Sequence, residues 1–517
     1  MEKINILWAD DEIDRLKPHL KFLEAKNYQV TTVTNGHDAI DEIRENNDID
    51  VVFLDESMPG LTGLETLSTI KQEYPNIPVV MITKNEAENV MEEAIGSQIS
   101  DYLIKPVNPN QILLTLKKII DKKLLVKDKV NSDYQQEFRN LMMEIQGGLN
   151  YEEWVDVYKR LINWELKLDN LGGEQMGEIL SMQKEQANNE FSKFITRNYL
   201  DWVEDGSGPI MSDTLMRNKI FPHVNKDIPT IFLLLDNLRF DQWETIKPIL
   251  SEGFKMEEED YFYSILPTST QYSRNAIFAG MMPADIEKHY KKYWVYDNEK
   301  EGKNNYEKEL LDLQIKRTFH EGIKTEYIKV TNVSIAKDLN DNITNYLNND
   351  LTVIVYNFID FLSHARTEME VLKELASDEK AYRSITHSWF ENSALWSAIK
   401  KLEGKEFQLI IGTDHGTIRV GQPSKVVGDR DTTTNLRYKE GRNLQYDSKD
   451  VLEIKKPAKA GLPAPNISSK YIFAKENKYF LYPNNYNHYK KHYQDTFQHG
   501  GISLEEIICP IIVMKSK

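Results

Sequence analysis

The chain has 517 residues, of which 40% are hydrophobic and 28% charged, and its formal net charge at pH 7 is −17. This length exceeds one ordinary hydrophobic core, so we expect about two to four domains, and the composition excludes a disordered or membrane class. The negative charge argues against broad duplex-DNA binding, because such binding depends on Lys and Arg side chains that neutralise phosphates.

The N-terminal segment carries Asp10 and Asp11 where a secretory signal would be apolar, and no apolar run reaches membrane-spanning length. We therefore predict a cytoplasmic protein without direct membrane insertion. Cys509 is the one cysteine in the sequence, so no intrachain disulfide can form. We expect its thiol to pack inside a buried strand.

Residues 1–121 alternate short apolar runs with amphipathic stretches. This rhythm predicts an α/β domain, a five-stranded doubly wound parallel sheet. Five side chains follow the predicted strands, and in such a sheet the carboxyl ends of the strands converge on one crevice. These residues are Asp10, Asp11, Asp55, Thr83 and Lys105.

Three carboxylates in one crevice suit Mg²⁺, which keeps several waters and leaves room for a phosphoryl oxygen. Asp55 would then act as the nucleophile, Lys105 would pair with the phosphoryl charge, and the Thr83 hydroxyl would turn toward it as a switch. Taken singly, each strand-end Asp could equally be a helix cap.

Together with Tyr102, three positions before Lys105, this set resembles the response-regulator receiver family. The resemblance implies that Asp55 is the phosphoacceptor, that Asp10 and Asp11 complete the magnesium site, and that Tyr102 is an aromatic that changes rotamer. It also implies a sensor histidine kinase as partner and a homodimer that forms on phosphorylation.

Residues 122–204 lack the strand signal. Apolar and aromatic side chains recur there at helical spacing, so we predict a helical-bundle spacer; they are Trp154, Leu161, Trp164 and Leu168.

Apolar strands return in residues 205–517, which predicts a second, larger α/β domain. Two polar stretches rich in Tyr and Lys, at about residues 284–330 and 420–495, are predicted to be insertions that border a site.

The second domain carries acids and imidazoles at strand ends and on one helical turn. Without thiolates, this donor set suits a catalytic Zn²⁺ or Mn²⁺. Thr270 begins an apolar helix, where an anion is favoured and the hydroxyl could attack phosphorus. Singly, each element could be a capping Asp, a surface pair or a turn. The candidate ligands are Asp236, Asp360, His364, Asp414, His415 and His499.

The order of these residues resembles the alkaline phosphatase and phosphodiesterase superfamily, and most closely its PglZ branch. The resemblance covers residues 205–517 and implies two Zn²⁺ ions. One would be held by Asp236, Thr270, Asp414 and His415, and the other by Asp360, His364 and His499. Thr270 would be the catalytic nucleophile of a two-step phosphoric ester hydrolysis.

Arg239, Arg274 and Asn275 flank the predicted phosphate position, where they could bind substrate or be ordinary helix-face residues. No third metal site and no dedicated arginine clamp can be identified, which favours a diester over a monoester. The Tyr- and Lys-rich stretches could stack the bases of a single strand or form solvated lids.

The whole chain resembles the PorX-type response regulators of bacteria that use type IX secretion. That resemblance implies a nucleotide or oligonucleotide substrate, with a sigma factor and a membrane secretion-motor component as partners. The first hypothesis is a zinc-dependent phosphodiesterase controlled by Asp55. The alternative is a phosphorylation-dependent docking module with a structural zinc site and no essential hydrolysis. A transcription factor is least favoured, because no basic reading helix is present.

Overall fold

The computed structural model describes residues 4–46, 48–84, 99–171, 174–297, 299, 301–430 and 432–517. The chain forms two compact units, residues 1–133 and 134–517. Among the described residues, we find no helix whose length and apolarity would suit a membrane crossing.

The first unit is a parallel sheet with strand order β2-β1-β3-β4-β5 and helices on both faces. Alternate residues of each strand point to opposite faces, so Trp8 and Phe53 pack with the last helix of the unit, and Ala9 and Leu54 pack on the other face. The strands are β1 Ile4–Ala9, β2 Tyr28–Val33, β3 Val51–Asp55, β4 Val79–Thr83 and β5 Asp101–Ile104. The helices are α1 Lys17–Glu24, α2 Gly36–Glu45, α3 Gly63–Glu73 and α4 Pro109–Gly147.

The predicted helical bundle is present as the end of α4 followed by α5 Tyr151–Leu171 and α6 Glu174–Asp205. Aromatic rings hold the helices together, with Trp154 and Phe191 at 5.3 Å between centroids and Tyr134 and Trp164 at 5.4 Å. The helices from Tyr134 onward belong to the same compact unit as the larger α/β domain.

The larger domain is built on a mixed sheet with strand order β7-β19-β10-β6-β9-β8. Four consecutive strands of this sheet are parallel to one another: β10, β6, β9 and β8. Strand β19 runs antiparallel to its two neighbours, β10 and β7. The strands are β6 Thr230–Leu235, β7 Phe254–Tyr263, β8 Thr325–Val330, β9 Leu351–Tyr356, β10 Gln408–Gly412 and β19 Ile508–Ser516. Cys509 lies buried in β19, as expected.

The helices of this domain pack on the sheet and carry the site. They are α7 Phe240–Gly253, α8 Thr270–Ala279, α9 Pro283–His289, α10 Glu307–Thr318, α11 Val333–Asn342, α12 Phe358–Glu368, α13 Glu370–Leu375, α14 Glu379–Glu391, α15 Ala394–Lys400, α16 Tyr486–Tyr493 and α17 Leu504–Ile507. Shorter strands form small sheets: β11 Ile418–Arg419, β12 Gln422–Val427, β13 Tyr438–Gly441, β14 Gln445–Tyr446, β15 Val451–Ile454, β16 Lys470–Ala474, β17 Lys478–Leu481 and β18 Phe497–Gln498.

The fold class is therefore confirmed, but the pattern analysis missed both edge strands of the large sheet. β7 carries four consecutive acids on an exposed edge, so it lacks an apolar run. β8 lies inside the stretch 284–330 that was predicted to be an insertion, so that interpretation is wrong for residues 325–330. Edge strands are solvated on one side, which weakens the apolar signal.

Candidate active site and metal centres

The first unit gathers its acids at the carboxyl edge of the sheet. One ligand oxygen from each of Asp10, Asp11 and Asp55 lies within 4.8 Å of the others. Lys105 Nζ is 2.9 Å from Asp10 Oδ2 and 2.9 Å from Asp55 Oδ1. Burial raises the pKa of Asp55 although Lys105 opposes the shift. Burial lowers the pKa of Lys105, but its hydrogen bonds to Asp10 and Asp55 outweigh burial and the net shift is upward.

The two predicted switch residues occupy different environments. The Thr83 hydroxyl donates to Glu56 Oε2, a partner that the sequence did not indicate. The Tyr102 side chain is 40% exposed. The exposed Tyr102 ring has room to change rotamer, whereas the buried Thr83 hydroxyl is held by its bond to Glu56.

The larger domain brings its predicted ligands together in two clusters. In each cluster, one ligand atom per residue lies within 4.8 Å of the others. Asp236 follows β6 and Asp414 follows β10, and these strands pair in parallel, so both acids reach the same edge. Asp360 and His364 lie on α12, directly after the neighbouring strand β9. The clusters are Asp236, Asp414 and His415, and Asp360, His364 and His499.

The clusters adjoin each other and the predicted nucleophile. The rings of His415 and His499 stack at 4.3 Å between centroids, and His499 Nε2 is 3.6 Å from Asp360 Oδ1. The hydroxyl of Thr270, the first residue of α8, is 3.1 Å from His415 Nε2. All seven predicted residues therefore meet at one place.

Backbone carbonyls orient the two buried imidazoles. His415 Nδ1 lies 3.1 Å from the carbonyl oxygen of Gly416, and His499 Nδ1 lies 3.1 Å from that of Thr268. A carbonyl only accepts, so each Nδ1 carries the proton and each Nε2 presents a lone pair to the centre. Burial lowers the pKa of both imidazoles, which keeps them in the neutral form that binds metals.

The residues fit a pair of cations. Asp236 Oδ1 and Asp414 Oδ2 are buried and have no hydrogen-bond partner among the described atoms. Burial and the nearby Asp236 carboxylate raise the pKa of Asp360 to about 6, and the same causes raise the pKa of Asp414 well above its usual range. Uncompensated buried carboxylates are costly, and a bound cation satisfies them. Oxygen and imidazole donors suit Zn²⁺.

The predicted substrate-binding arginines both have protein partners. Arg274 is 1% exposed, and it donates from Nη1 to Asp236 Oδ2 at 2.7 Å and from Nε to Glu307 Oε1 at 2.7 Å. Arg239 is 2% exposed and its guanidinium pairs with Asp241 and Glu379. Arg274 thus lies behind a candidate metal ligand, and Arg239 lies in a separate ion-pair network.

The third of these residues, Asn275, is buried beside the nucleophile. Its side chain donates to the Lys303 carbonyl at 3.1 Å and accepts from Asn304 Nδ2 at 3.3 Å. Asn304 Nδ2 also donates to the carbonyl of Thr270 at 2.9 Å. Asn275 and Asn304 therefore support the first turn of α8.

Sequence reasoning missed Asn237, which bridges the two clusters. Its backbone N–H donates to Asp414 Oδ1 and its side-chain amide donates to Asp360 Oδ1, both at 3.3 Å. Its φ of 67° is a left-handed conformation that Asn tolerates better than most residues. An Asn directly after a strand-end Asp is the one local signal that could have indicated this role.

A cavity of about 870 Å³ opens in front of the clusters. His364 and Gln498 mark its metal-proximal side, and two arginines line it, Arg430 between β12 and β13 and Arg442 after β13. Its other walls carry tyrosines: Tyr272, Tyr296, Tyr438, Tyr471 and Tyr493.

Three family models match the chain in sequence. The response regulator receiver domain matches residues 6–117, and the PorX response regulator linker domain matches residues 124–203. The BREX system PglZ alkaline phosphatase-like domain matches residues 215–514, which is more than half of the chain. The chain therefore belongs to the PglZ alkaline phosphatase-like family. With its receiver and linker domains, it is organised as a PorX-type response regulator.

Curated relatives match part of the chain. The heme response regulator HssR of Staphylococcus epidermidis is 31% identical over 140 residues, which is 27% of this chain and 59% of that protein. The transcriptional regulatory protein ZraR of Klebsiella oxytoca is 36% identical over 115 residues, which is 22% of this chain and 26% of that protein. The chain thus spans less than two thirds of each relative.

Solved structures also match part of the chain. A CheY-like receiver domain protein from Methanospirillum hungatei is 24% identical with a TM-score of 0.23, and the match covers 23% of this chain and 96% of that chain. A receiver domain protein from Clostridium thermocellum is 30% identical with a TM-score of 0.23, and the match covers 24% of this chain and 98% of that chain.

Proposed function

We propose that the protein is a phosphorylation-controlled, zinc-dependent phosphodiesterase that acts on nucleotide or oligonucleotide phosphodiesters. The observation that carries this proposal is the placement of the Thr270 hydroxyl, 3.1 Å from His415 Nε2 and beside two complete ligand clusters. A nucleophile at a helix N-terminus, next to cation sites, has the arrangement that phosphoryl transfer needs.

Asp236, Asp414, His415 and the Thr270 hydroxyl would hold one Zn²⁺, and Asp360, His364 and His499 would hold the other. When bound, the two ions would supply Lewis-acid activation and neutralise the charge of the reacting oxygens. The buried oxygens Asp236 Oδ1 and Asp414 Oδ2 support this assignment, because neither has a hydrogen-bond partner among the described atoms.

The chain's own residues then perform two displacements. The Thr270 hydroxyl gives its proton to solvent, its oxygen bonds to phosphorus, and the bond from phosphorus to the leaving ester oxygen breaks, so that the first alcohol leaves with a proton taken from solvent. Water then attacks the phospho-threonine and its oxygen bonds to phosphorus, while the bond between phosphorus and the Thr270 oxygen breaks. The Thr270 oxygen regains a proton and a phosphate monoester is released. The N-terminal turn of α8 holds Thr270 in place through Asn304, which donates to its carbonyl.

A diester substrate is supported by the surroundings of Arg274. This guanidinium, one helical turn after Thr270, is bonded to Asp236 and Glu307, so it is not free to clamp the additional charge of a monoester. A diester carries a single charge at the reacting phosphorus. The cavity of about 870 Å³ supports a nucleotide substrate, because the partly exposed Tyr296 and Tyr493 on its wall could stack on bases.

The receiver unit supports phosphorylation at Asp55. We propose that Asp10, Asp11 and Asp55 hold Mg²⁺, that a sensor histidine kinase supplies the phosphoryl group, and that the phosphorylated protein forms a homodimer. The 2.9 Å contact between Lys105 Nζ and Asp55 Oδ1 supports a role for Lys105 in pairing with the phosphoryl charge. A type IX secretion motor component and a sigma factor complete the proposed set of partners.

The second candidate is a docking module whose zinc site only supports the fold. The observation in its favour is burial, because three of the candidate ligands are at most 1% exposed. Against it, the hydroxyl of the half-buried Thr270 lies 3.1 Å from His415 Nε2, and a structural site needs no nucleophile at that place.

Hydrolysis of bis-p-nitrophenyl phosphate by the full-length protein tests the proposal. We expect turnover that a chelator abolishes, that added Zn²⁺ restores, and that Thr270→Ala removes while zinc content is retained. Thr268→Ala is unsuitable as a control, because its hydroxyl donates to Gly501. Thr69→Ala, at a partly exposed position of α3 where the hydroxyl donates only within its own helix turn to the Glu65 carbonyl, is the matched control and should hydrolyse the ester normally. Zinc-loaded wild-type protein without turnover would leave the docking module as the better hypothesis.

A further inference from the structure

Helix α6 of the bundle is bonded to the segment that follows His499. The Asn188 side chain accepts from the Leu504 N–H at 2.8 Å and donates to Glu505 Oε2 at 3.0 Å. One turn later, the Ser192 hydroxyl donates to the Ile502 carbonyl at 3.4 Å. Asn188 and Ser192 are buried, so water does not compete for these bonds.

The same helix is bonded to the loop that precedes Thr270. The Tyr199 hydroxyl accepts from the Leu266 N–H at 2.8 Å, and Tyr199 is 3% exposed. Asn188, Ser192 and Tyr199 are separated by four and seven residues, which places them on one face of the helix. This face therefore contacts the segment after a candidate metal ligand and the loop before the candidate nucleophile.

The two loops are also bonded to each other. His499 Nδ1 donates to the Thr268 carbonyl at 3.1 Å, and the Gly500 N–H donates to the Thr268 hydroxyl at 3.0 Å. A displacement of either loop against α6 would therefore move both His499 and Thr270. Displacements of about 1 Å at a reacting centre can cost on the order of 100-fold in rate.

We propose that α6 is a positioning element of the active site, in which Tyr199 positions the nucleophile loop and Asn188 positions the segment that carries His499. This inference rests on the proposed phosphodiesterase function. Neither residue touches substrate, and both act on the reaction through the backbone of the two loops. The helical bundle is accordingly part of the catalytic machinery, in addition to its place between receiver and effector domains.

Tyr199→Phe in the full-length protein is the first test, because it removes one hydroxyl and keeps the ring. Tyr158→Phe is the matched control, since Tyr158 is also buried in the bundle and its hydroxyl has no hydrogen-bond partner among the described atoms. We expect Tyr199→Phe to lower kcat by about tenfold or more, with KM for bis-p-nitrophenyl phosphate within about twofold of wild type. Tyr158→Phe should leave both unchanged.

Zinc affinity is the second test and requires no turnover. Asn188→Ala should weaken zinc binding by about tenfold or more in a chelator competition, as loss of residues that support metal ligands does. Asn198→Ala is the control, because Asn198 lies on the same helix and its side chain, among the described residues, bonds only to the Phe194 carbonyl of that helix. Thermal unfolding should show that all four variants remain folded.

The outcomes separate the two proposals. Wild-type protein that binds zinc without hydrolysis would refute the phosphodiesterase, and the affinity of Asn188→Ala would still decide the role of α6. An active wild type with normal kcat in Tyr199→Phe would overturn the positioning role, as would unchanged zinc affinity in folded Asn188→Ala. If Asn188→Ala does not fold, Tyr199→Phe alone decides.

Discussion

Arg274 Nη1 donates to Asp236 Oδ2 at 2.7 Å, and both side chains are 1% exposed. The guanidinium also bonds to Glu307 and lies 3.9 Å from Asp414 Oδ2. A buried arginine thus orients one candidate metal ligand and offsets part of the negative charge of the cluster.

Removal of this charge should destabilise the effector domain. Arg274→Met would leave Asp236 buried without its arginine partner, while Glu307 keeps Lys329 and Tyr327, and breaking such a buried pair costs about 3–5 kcal/mol. We expect a lower free energy of unfolding, measured by urea denaturation in the presence of chelator. Arg197→Met, at an exposed position of α6, is the matched control. Equal stability of Arg274→Met and wild type would contradict the pairing.

Loss of one ligand should remove one metal ion. Because His499 and His415 belong to different clusters, His499→Ala should lower the zinc content from two ions per chain to one. Elemental analysis of dialysed protein measures this number. His488→Ala, at an exposed position of α16, should keep both ions. Two ions retained by His499→Ala would show that His499 is not a ligand.

Hydrolysis should require a hydroxyl side chain at position 270. Thr270→Ser keeps the nucleophilic oxygen, so we expect it to retain measurable hydrolysis of the diester. Thr270→Ala should lose about six orders of magnitude in kcat, the scale on which loss of a nucleophile acts. Comparable rates in the alanine and serine variants would mean that water attacks the substrate directly.

Lys439 should make stability depend on pH. Burial lowers its pKa to about 7, from 10.5 in a free lysine. Its ammonium donates to the Thr433 carbonyl at 2.9 Å and lies 4.8 Å from the Tyr482 ring. Between about pH 7 and pH 10.5 the unfolded chain binds more protons than the folded one, so the free energy of unfolding rises with pH in this window. Below about pH 7 Lys439 is protonated in both states, so this rise is absent there.

Lys439→Met should flatten this dependence. We expect the gain in the free energy of unfolding between pH 6 and pH 9 to shrink by about 3 kcal/mol relative to wild type. Urea denaturation at the two pH values measures the difference. Lys449→Met, at an exposed position, should behave like wild type. An unaltered pH profile in Lys439→Met would show that Lys439 keeps an ordinary pKa.

Phosphorylation should change the oligomeric state through Asp55. Acetyl phosphate or beryllofluoride with Mg²⁺ should double the mass of the full-length protein in light scattering, because receivers pair when the phosphoryl group recruits the switch residues. Asp55→Asn should remain at the monomer mass under both treatments. A wild-type mass that does not respond would exclude phosphorylation-linked dimerisation.

Several features were accessible from the sequence because they are local. Apolar runs predicted the inner strands of both sheets, for example β6 and β9, since burial on both faces requires continuous apolar residues. The convergence of Asp236 and Asp414 followed from the same reasoning, because parallel strands end at one edge. The functional roles of these residues stay predictions.

Other features depend on contacts between distant segments. The partners of Arg274 lie 33 and 38 residues away, and Asn188 bonds to Leu504 across 316 residues. A periodic pattern reports which side chain is buried, but it does not report which polar group meets it inside the protein. Arg274 therefore looked free to bind phosphate, and the bundle looked like a spacer. Only the tertiary structure shows that Arg274 supports a carboxylate of the candidate site and that the bundle supports its loops. The hydrogen bonds that provide this support join groups that are far apart in the sequence.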